Sequence, residues 1–552
     1  MPRISLAAAA AAAAVVGSAS AFPTWLSARD GYNGTTNSST ISDYTQLPPS
    51  PDLSWTPCFE RFQCANLEVP LDYEEDVGTT NVAFIKLSGG DGEGQDILFN
   101  PGGPGASGVT TLLTGLGDDI LKNFGGNYNL ISFDPRGVNN SGPYPFSCFP
   151  TREARDQYAL SSTPPSASLQ VQYATAKALG EYCTETNRDK NVKYGGTLAV
   201  VQDMMHFHKL STTLKGGDGD TEPIWYYGTS YGTVIGQTLA AAYPDRIGRV
   251  IVDGNVYGKQ YYEGYITNDV DDSDQTFAFF FQYCFEAGPA RCRFAGNSSS
   301  AHAIELRYLS LIQKLEDEPL IVTDTGLPQI ITRYAFQNWA FNEMYQPMTG
   351  FPKVAYVAAD LEQGNATSYL RATTKQTKSE ESVATQPKFD EGASQEALGL
   401  ITCVDANTRY PFSNFTAYEA AYKRTSRESL YAGDILGRGN LVMCAGFGVV
   451  PPASQLFTWP EQVITTAAPV LFIGNTGDPI TPVSSALRMS PYFAGSAVLT
   501  QDSPGHCSLT SKSACTTGYI QNYLATGALP EPGTICEIDV KPFQDQPAAR
   551  RH

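Results

Sequence analysis

Three residues have the types and surroundings for nucleophilic chemistry at a carbonyl. Ser230 lies in Gly228-Thr229-Ser230-Tyr231-Gly232, Asp478 in Gly477-Asp478-Pro479, and His506 in Pro504-Gly505-His506-Cys507. A serine hydroxyl is a poor nucleophile unless a base takes its proton. The chain has five histidines, so elimination can choose among them. His552 is the terminus, His302 opens a helical stretch, and His206 and His208 lie within another. Only His506 stands in a glycine-flanked loop just after a strand-like run, where it could reach across strand ends. Asp478 ends the strand before it and would orient the imidazole and stabilise its charged form. Asp253, at the end of Arg249 to Asn255, is the fallback acid. The tetrahedral oxyanion needs two N–H donors. Tyr231, the residue after the serine, supplies one. The loop Asn100-Pro101-Gly102-Gly103-Pro104-Gly105 supplies the other, and Gly103 is the choice there.

These residues need elements to hold them. Ile224 to Tyr227 is a short apolar strand, and Val234 to Tyr243 is an Ala-rich helix stopped by Pro244. Strand, tight turn and helix form the setting of a nucleophile elbow, and Ser…Asp…His is the chain order of the α/β-hydrolase triad. Further strands are read at Asn66 to Val69, Asn81 to Leu87, Ile97 to Phe99, Tyr128 to Phe133, Arg249 to Asn255, Pro469 to Ile473 and Ser496 to Thr500. Helices fall at Leu198 to Leu210 and Thr516 to Leu524. Alternating strands and helices predict an α/β fold with a mostly parallel, doubly wound sheet. Residues 51–255 and 462–552 would form its two parts. Between them, 256–461 reads as a mainly helical lid, with helices at Asp274 to Glu286, Ala301 to Leu315, Ile331 to Tyr345 and Val354 to Leu361. The polar stretch Thr373 to Gln386 has little to bury and reads as mobile. Asp134-Pro135-Arg136-Gly137 predicts a buried Arg–Asp pair bracing the neighbouring loop. Asp203 and His206, at i and i+3, have no partner cluster, so no metal and no cofactor is expected.

The remainder of the chain sets the compartment. Residues 1–21 have the positive start, apolar centre and Ala19-Ser20-Ala21 end of a cleaved secretion signal. Residues 22–50 form an exposed leader. No later run is long enough to span a bilayer. Glycosylation sequons stand at Asn33, Asn37, Asn139, Asn297, Asn365 and Asn414. A secreted, extracellular protein follows. The formal charge of −19 argues against nucleic acid and anionic membranes as partners.

The Asn100–Gly108 loop, the Asp-Pro-Arg-Gly turn, the elbow, Gly477-Asp478-Pro479-Ile480-Thr481-Pro482 and Gly505-His506 together resemble the secreted tripeptidyl aminopeptidases. These are relatives of the prolyl aminopeptidases that carry a TAP-like C-terminal segment. The resemblance runs from about residue 51 to 540. It departs at Cys507, where the family often has glycine. It implies peptide substrates cut from a free N-terminus. A carboxylesterase on the same triad is the alternative, and a non-catalytic scaffold is the other. An exopeptidase must also pair a buried ammonium. The acidic start of the lid, with Glu263, Asp269, Asp271, Asp272, Asp274 and Glu286, offers carboxylates, and Glu263, Asp272 and Glu286 are the residues chosen. Of the 11 cysteines, local spacing pairs Cys58 with Cys64 and Cys284 with Cys292, and the resemblance pairs Cys515 with Cys536. Cys148–Cys183 and Cys403–Cys444 complete the set without support from spacing, which leaves Cys507 as a buried free thiol. Oligomeric state is open.

Overall fold

The computed structural model describes residues 40–161, 167–323, 328–373 and 391–544. The signal, most of the leader, and nearly all of the polar stretch after Thr373 lie outside them. Among the described residues twelve strands are present: β1 Thr56–Cys58, β2 Phe62–Pro70, β3 Thr79–Ser88, β4 Gln95–Asn100, β5 Tyr128–Phe133, β6 Ile224–Thr229, β7 Ile247–Asp253, β8 Leu320–Val322, β9 Gln329–Ile331, β10 Leu471–Gly477, β11 Ala497–Pro504 and β12 Ile535–Glu537.

Ten of them form one sheet in the order β1-β2-β3-β5-β4-β6-β7-β10-β11-β12, while β8 and β9 make a separate hairpin. Pairing is antiparallel from β1 to β5 and parallel from β5 onward. The central parallel strands each carry a short buried apolar run, such as Ile97–Phe99, Val250–Val252 and Leu471–Ile473, as suits strands with helices on both faces. After β4 the chain adds β5 on one side and, later, β6 on the other. This reversal opens a crevice at the strand ends, where sheets of this kind hold ligands. It sets the Gly-Pro loop after β4 beside the turn after β6. The loops after β10 and β11 lie side by side because these two strands pair directly in parallel.

Between β7 and β10 the chain is mainly helical, with Ser273–Ala287, Ala301–Asp317, Arg333–Glu343 and Pro347–Glu362 among its helices. These four share an apolar core of their own, built on Phe277, Phe280, Tyr308, Phe336 and Phe351. The helical layer is less self-contained than the sequence suggests. Leu400, Ile401 and Val404 of the helix Glu391–Ala406 pack into the core of the sheet. Conversely, Tyr173 of the helix Leu169–Asn187, which precedes β6, stacks on Tyr418 of the helical segment between β7 and β10. Helical periodicity says that a face is buried, not against which partner.

The described cysteines form the pairs Cys58–Cys64, Cys148–Cys183, Cys284–Cys292, Cys403–Cys444 and Cys515–Cys536, and Cys507 is free and buried. The expected pair within the Asp-Pro-Arg-Gly turn does not form. Arg136, fully buried, instead meets Asp203 at 2.7 and 2.8 Å, and its remaining N–H groups reach the carbonyls of Pro70, Leu71 and Tyr194. Asp134 accepts from the Ser107 hydroxyl and from the N–H of Val109 and Asn140. It therefore fixes the end of the Gly-Pro loop by itself. Both residues lie beyond Phe133, the last residue of β5, and the Asp134 carboxylate is already taken up by the Gly-Pro loop, so Arg136 pairs with an acid from another element.

Candidate active site

Ser230 occupies the turn between β6 and the helix Gly232–Ala242. Its φ is +56°, a left-handed conformation that costs a residue with a Cβ energy. The turn is held from several sides. The Ser230 N–H donates to the Asp253 carbonyl, and the Ser230 carbonyl accepts from the Thr233 N–H and hydroxyl. A side chain at residue 232 would place its Cβ 2.4 Å from the Asn100 carbonyl, so only glycine lets the helix cross β4 this closely. A Cβ on Gly102 would likewise meet the Ser230 Cβ at 2.7 Å and the Tyr231 nitrogen at 3.0 Å. The Gly-Pro loop therefore lies directly against the elbow. Among the described residues, the N–H groups of Gly103 and Tyr231 have no protein acceptor. Tyr231 sits at the positive end of the helix Gly232–Ala242. An anion beside Ser230 would find those donors free.

His506 follows β11 and Asp478 follows β10. The His506 Nδ1 lies 3.1 and 3.2 Å from the two Asp478 oxygens. Asp478 is fully buried and also accepts from the N–H groups of Ile480, Thr481 and Cys507 and from the Thr481 hydroxyl. This donor ring fixes the carboxylate in place beside the imidazole. Asp253, the fallback acid, points elsewhere. It accepts from the Ser508 N–H and hydroxyl and from the Tyr227 hydroxyl. Burial pushes its carboxyl upward, and the Ser508 contacts oppose this. It anchors the histidine loop from below and leaves the imidazole to Asp478.

Ser230, Tyr231, Gly103 and His506 line one cavity of about 100 Å³, about the size of one side chain. Val256, Ile266, Leu398, Met443 and Ile480 make much of it apolar. Glu263, Asp272 and Glu286 are not among its lining residues. Asp272 accepts the Val483 N–H at 2.9 Å, with its carboxyl raised to about 6 by burial, an effect that this contact opposes. Glu286 lies on an exposed helix face, paired with Lys541. Glu263 is half-buried beside Tyr265.

The acid in the cavity is Asp269. It sits in the short turn Asn268–Val270, is 4% exposed, and has one side-chain donor in contact, the Asn440 amide at 3.4 Å. Burial holds its carboxyl well above the usual range, and Asp271 and Asp478 push it the same way. The Asn440 Oδ1, on the same wall, is buried without a donor. Two acceptors thus face an apolar chamber with no cation lining it. Composition singled out the acidic run but not its inward member, because burial in a short turn has no periodic signature. Tyr345, which touches His506 and lines the cavity, also carries no sequence signal, whereas Thr481, which does the same, lies in the Gly477–Pro482 motif.

The family model described as TAP-like protein matches residues 430–536, which include Asp478 and His506. The serine protease Hip1 of Mycobacterium tuberculosis is 25% identical, covering 88% of this chain and 91% of its own. The tripeptidyl aminopeptidase of Streptomyces coelicolor is 23% identical over 87% of this chain and 84% of its own. The carboxylesterase B of Mycobacterium tuberculosis is 24% identical over 88% and 90%.

Proposed function

Taking as premise that this chain is a TAP-like α/β-hydrolase of the serine hydrolase class, we propose that it is a secreted aminopeptidase acting on small peptides through an acyl-enzyme. Ser230 attacks the carbonyl, and His506 takes its proton and returns one to the leaving amine. Asp478 keeps the imidazole Nδ1–H in place so that Nε2 is the basic nitrogen. The N–H groups of Gly103 and Tyr231 receive the oxyanion.

One observation supports the choice of an amine-terminated substrate: the buried Asp269 carboxylate beside the donor-free Asn440 Oδ1. A lone buried carboxylate is costly, and an ammonium is the partner that relieves it. The sequence-chosen Glu263, Asp272 and Glu286 give way to Asp269 in this role. The five disulfides support export to an oxidising compartment. Asn297, Asn365 and Asn414 are exposed and fit glycan attachment. The Asn139 amide is already donating to Ser107 and Asp134.

The test compares a free-amine peptide substrate with its N-acetylated twin. Acetylation, or Asp269→Asn on the free amine, should cost roughly ten- to a hundredfold in kcat/KM. Equal rates on the two substrates would reject the aminopeptidase. The apolar lining then favours a carboxylesterase, which the same rate assay on a short-chain ester would detect.

A further inference from the structure

Cys507 has no part in the proposed reaction, and its position is unusual. Its Sγ lies 3.7 Å from His506 Nδ1, the nitrogen that also faces Asp478 at 3.1 Å. Ligand atoms of Asp478, His506 and Cys507 lie within 4.8 Å of one another, all on buried residues. The Thr481 hydroxyl completes the ring, 3.0 Å from Nδ1 and 2.8 Å from Asp478 Oδ2.

A thiol, an imidazole and a carboxylate are the ligand types of a zinc site. With Zn–S near 2.3 Å and Zn–N near 2.1 Å, tetrahedral angles put sulfur and nitrogen about 3.6 Å apart. The observed 3.7 Å needs almost no rearrangement. Charge also fits. Carboxylate and thiolate together balance a divalent cation, which a buried site requires.

We propose that Asp478, His506 and Cys507 form an inhibitory site for a borderline or soft divalent cation such as Zn²⁺ or Cd²⁺. Metal–sulfur and metal–nitrogen bonds form, and the thiol proton leaves to solvent. As the metal takes Nδ1, the imidazole stays neutral because the single proton held there moves to Nε2. That nitrogen can no longer accept a proton from Ser230, so the nucleophile is silenced. The inhibition, but not the binding, rests on the serine hydrolase reading.

The site is tested on the purified full chain with CdCl₂ and ZnCl₂. Every other cysteine is in a disulfide, so a cadmium–thiolate ultraviolet band can come from Cys507 alone. Wild type should show the band at one ion per chain. Its labelling by a fluorophosphonate should slow as the band grows. Cys507→Ser should lack the band and need at least about tenfold more metal to halve its own metal-free labelling rate. Cys507→Gly, suited to the φ of +67° at this position, gives the same readout should the serine variant fold poorly. No band in wild type, or unchanged metal sensitivity in a folded variant, would overturn the site. A band with full labelling would retain the binding site and remove the inhibition. A band in a wild type that never labels would leave the site standing and count against the serine hydrolase instead.

Discussion

The backbone N–H of His506 donates to the backbone carbonyl of Tyr345 at 3.1 Å, and the two rings meet edge to face at 5.1 Å between centroids. Tyr345 belongs to the helical layer, so that layer holds the imidazole directly. The same layer grips the loop carrying Asp478. The hydroxyls of Thr276 and Ser273 donate to the carbonyls of Gly477 and Pro479, and Asp272 accepts the Val483 N–H. Asp478 and His506 are positioned from the helical layer as much as from the sheet.

Weakening that grip should lower turnover more than affinity. Thr276→Val removes one buried hydrogen bond and should cost about 1 kcal/mol of stability. Its kcat should fall severalfold while KM stays within about twofold. Urea unfolding and steady-state kinetics on the same preparation provide both numbers. An unchanged kcat would mean that the lid only covers the site.

On the proposed reading, in which Ser230, His506 and Asp478 act as a unit, Ser230→Ala should lower kcat by on the order of 10⁶. Asp478→Asn should be severe, whereas Asp253→Asn should keep fluorophosphonate labelling and lose stability, since Asp253 serves Ser508 and Tyr227. If Asp253→Asn abolishes labelling and Asp478→Asn does not, the acid has been misassigned.

Asp203→Ala would strand the Arg136 guanidinium in a fully buried position with its charge unpaired. The expected loss is about 3–5 kcal/mol. Replacing both residues with apolar ones should recover part of it. A denaturation midpoint for the single variant equal to wild type would contradict this.

Asp405 on the helix Glu391–Ala406 is held by the Thr197 N–H and hydroxyl and by the Tyr261 hydroxyl, with Arg409 nearby. Burial raises its carboxyl to about 6, against the ordinary 3.8, while these contacts and the Arg409 charge oppose the rise. Folding thus favours the protonated form. Its contribution is present below the ordinary carboxyl range and is lost as pH rises through about 6. The full effect is on the order of 3 kcal/mol. Urea unfolding between about pH 4 and 6 should show this decline, and Asp405→Asn should flatten it.

The sequence by itself determined the fold class and where most of the central strands lie. β5 coincides with the predicted Tyr128 to Phe133, and β6 and β10 begin within two residues of their predicted starts, because buried parallel strands are short apolar runs punctuated by Gly and Pro. It also identified the Ser, Asp and His turns, since each chemistry-bearing residue sits beside glycines that local backbone geometry requires. What it could not decide was which face each side chain meets across long separations. Arg136 found Asp203 rather than Asp134, because Asp134 is engaged by Ser107, Val109 and Asn140 while Asp203 arrives on a helix 67 residues further along the chain. Asp269, rather than Glu263, Asp272 or Glu286, entered the cavity, because a single short turn chose which carboxylate points inward. Residues far apart in the chain, such as Tyr345 and His506, meet only when helices and sheet pack. Burial and contact are properties of that packing, and no periodicity in the sequence encodes them one residue at a time.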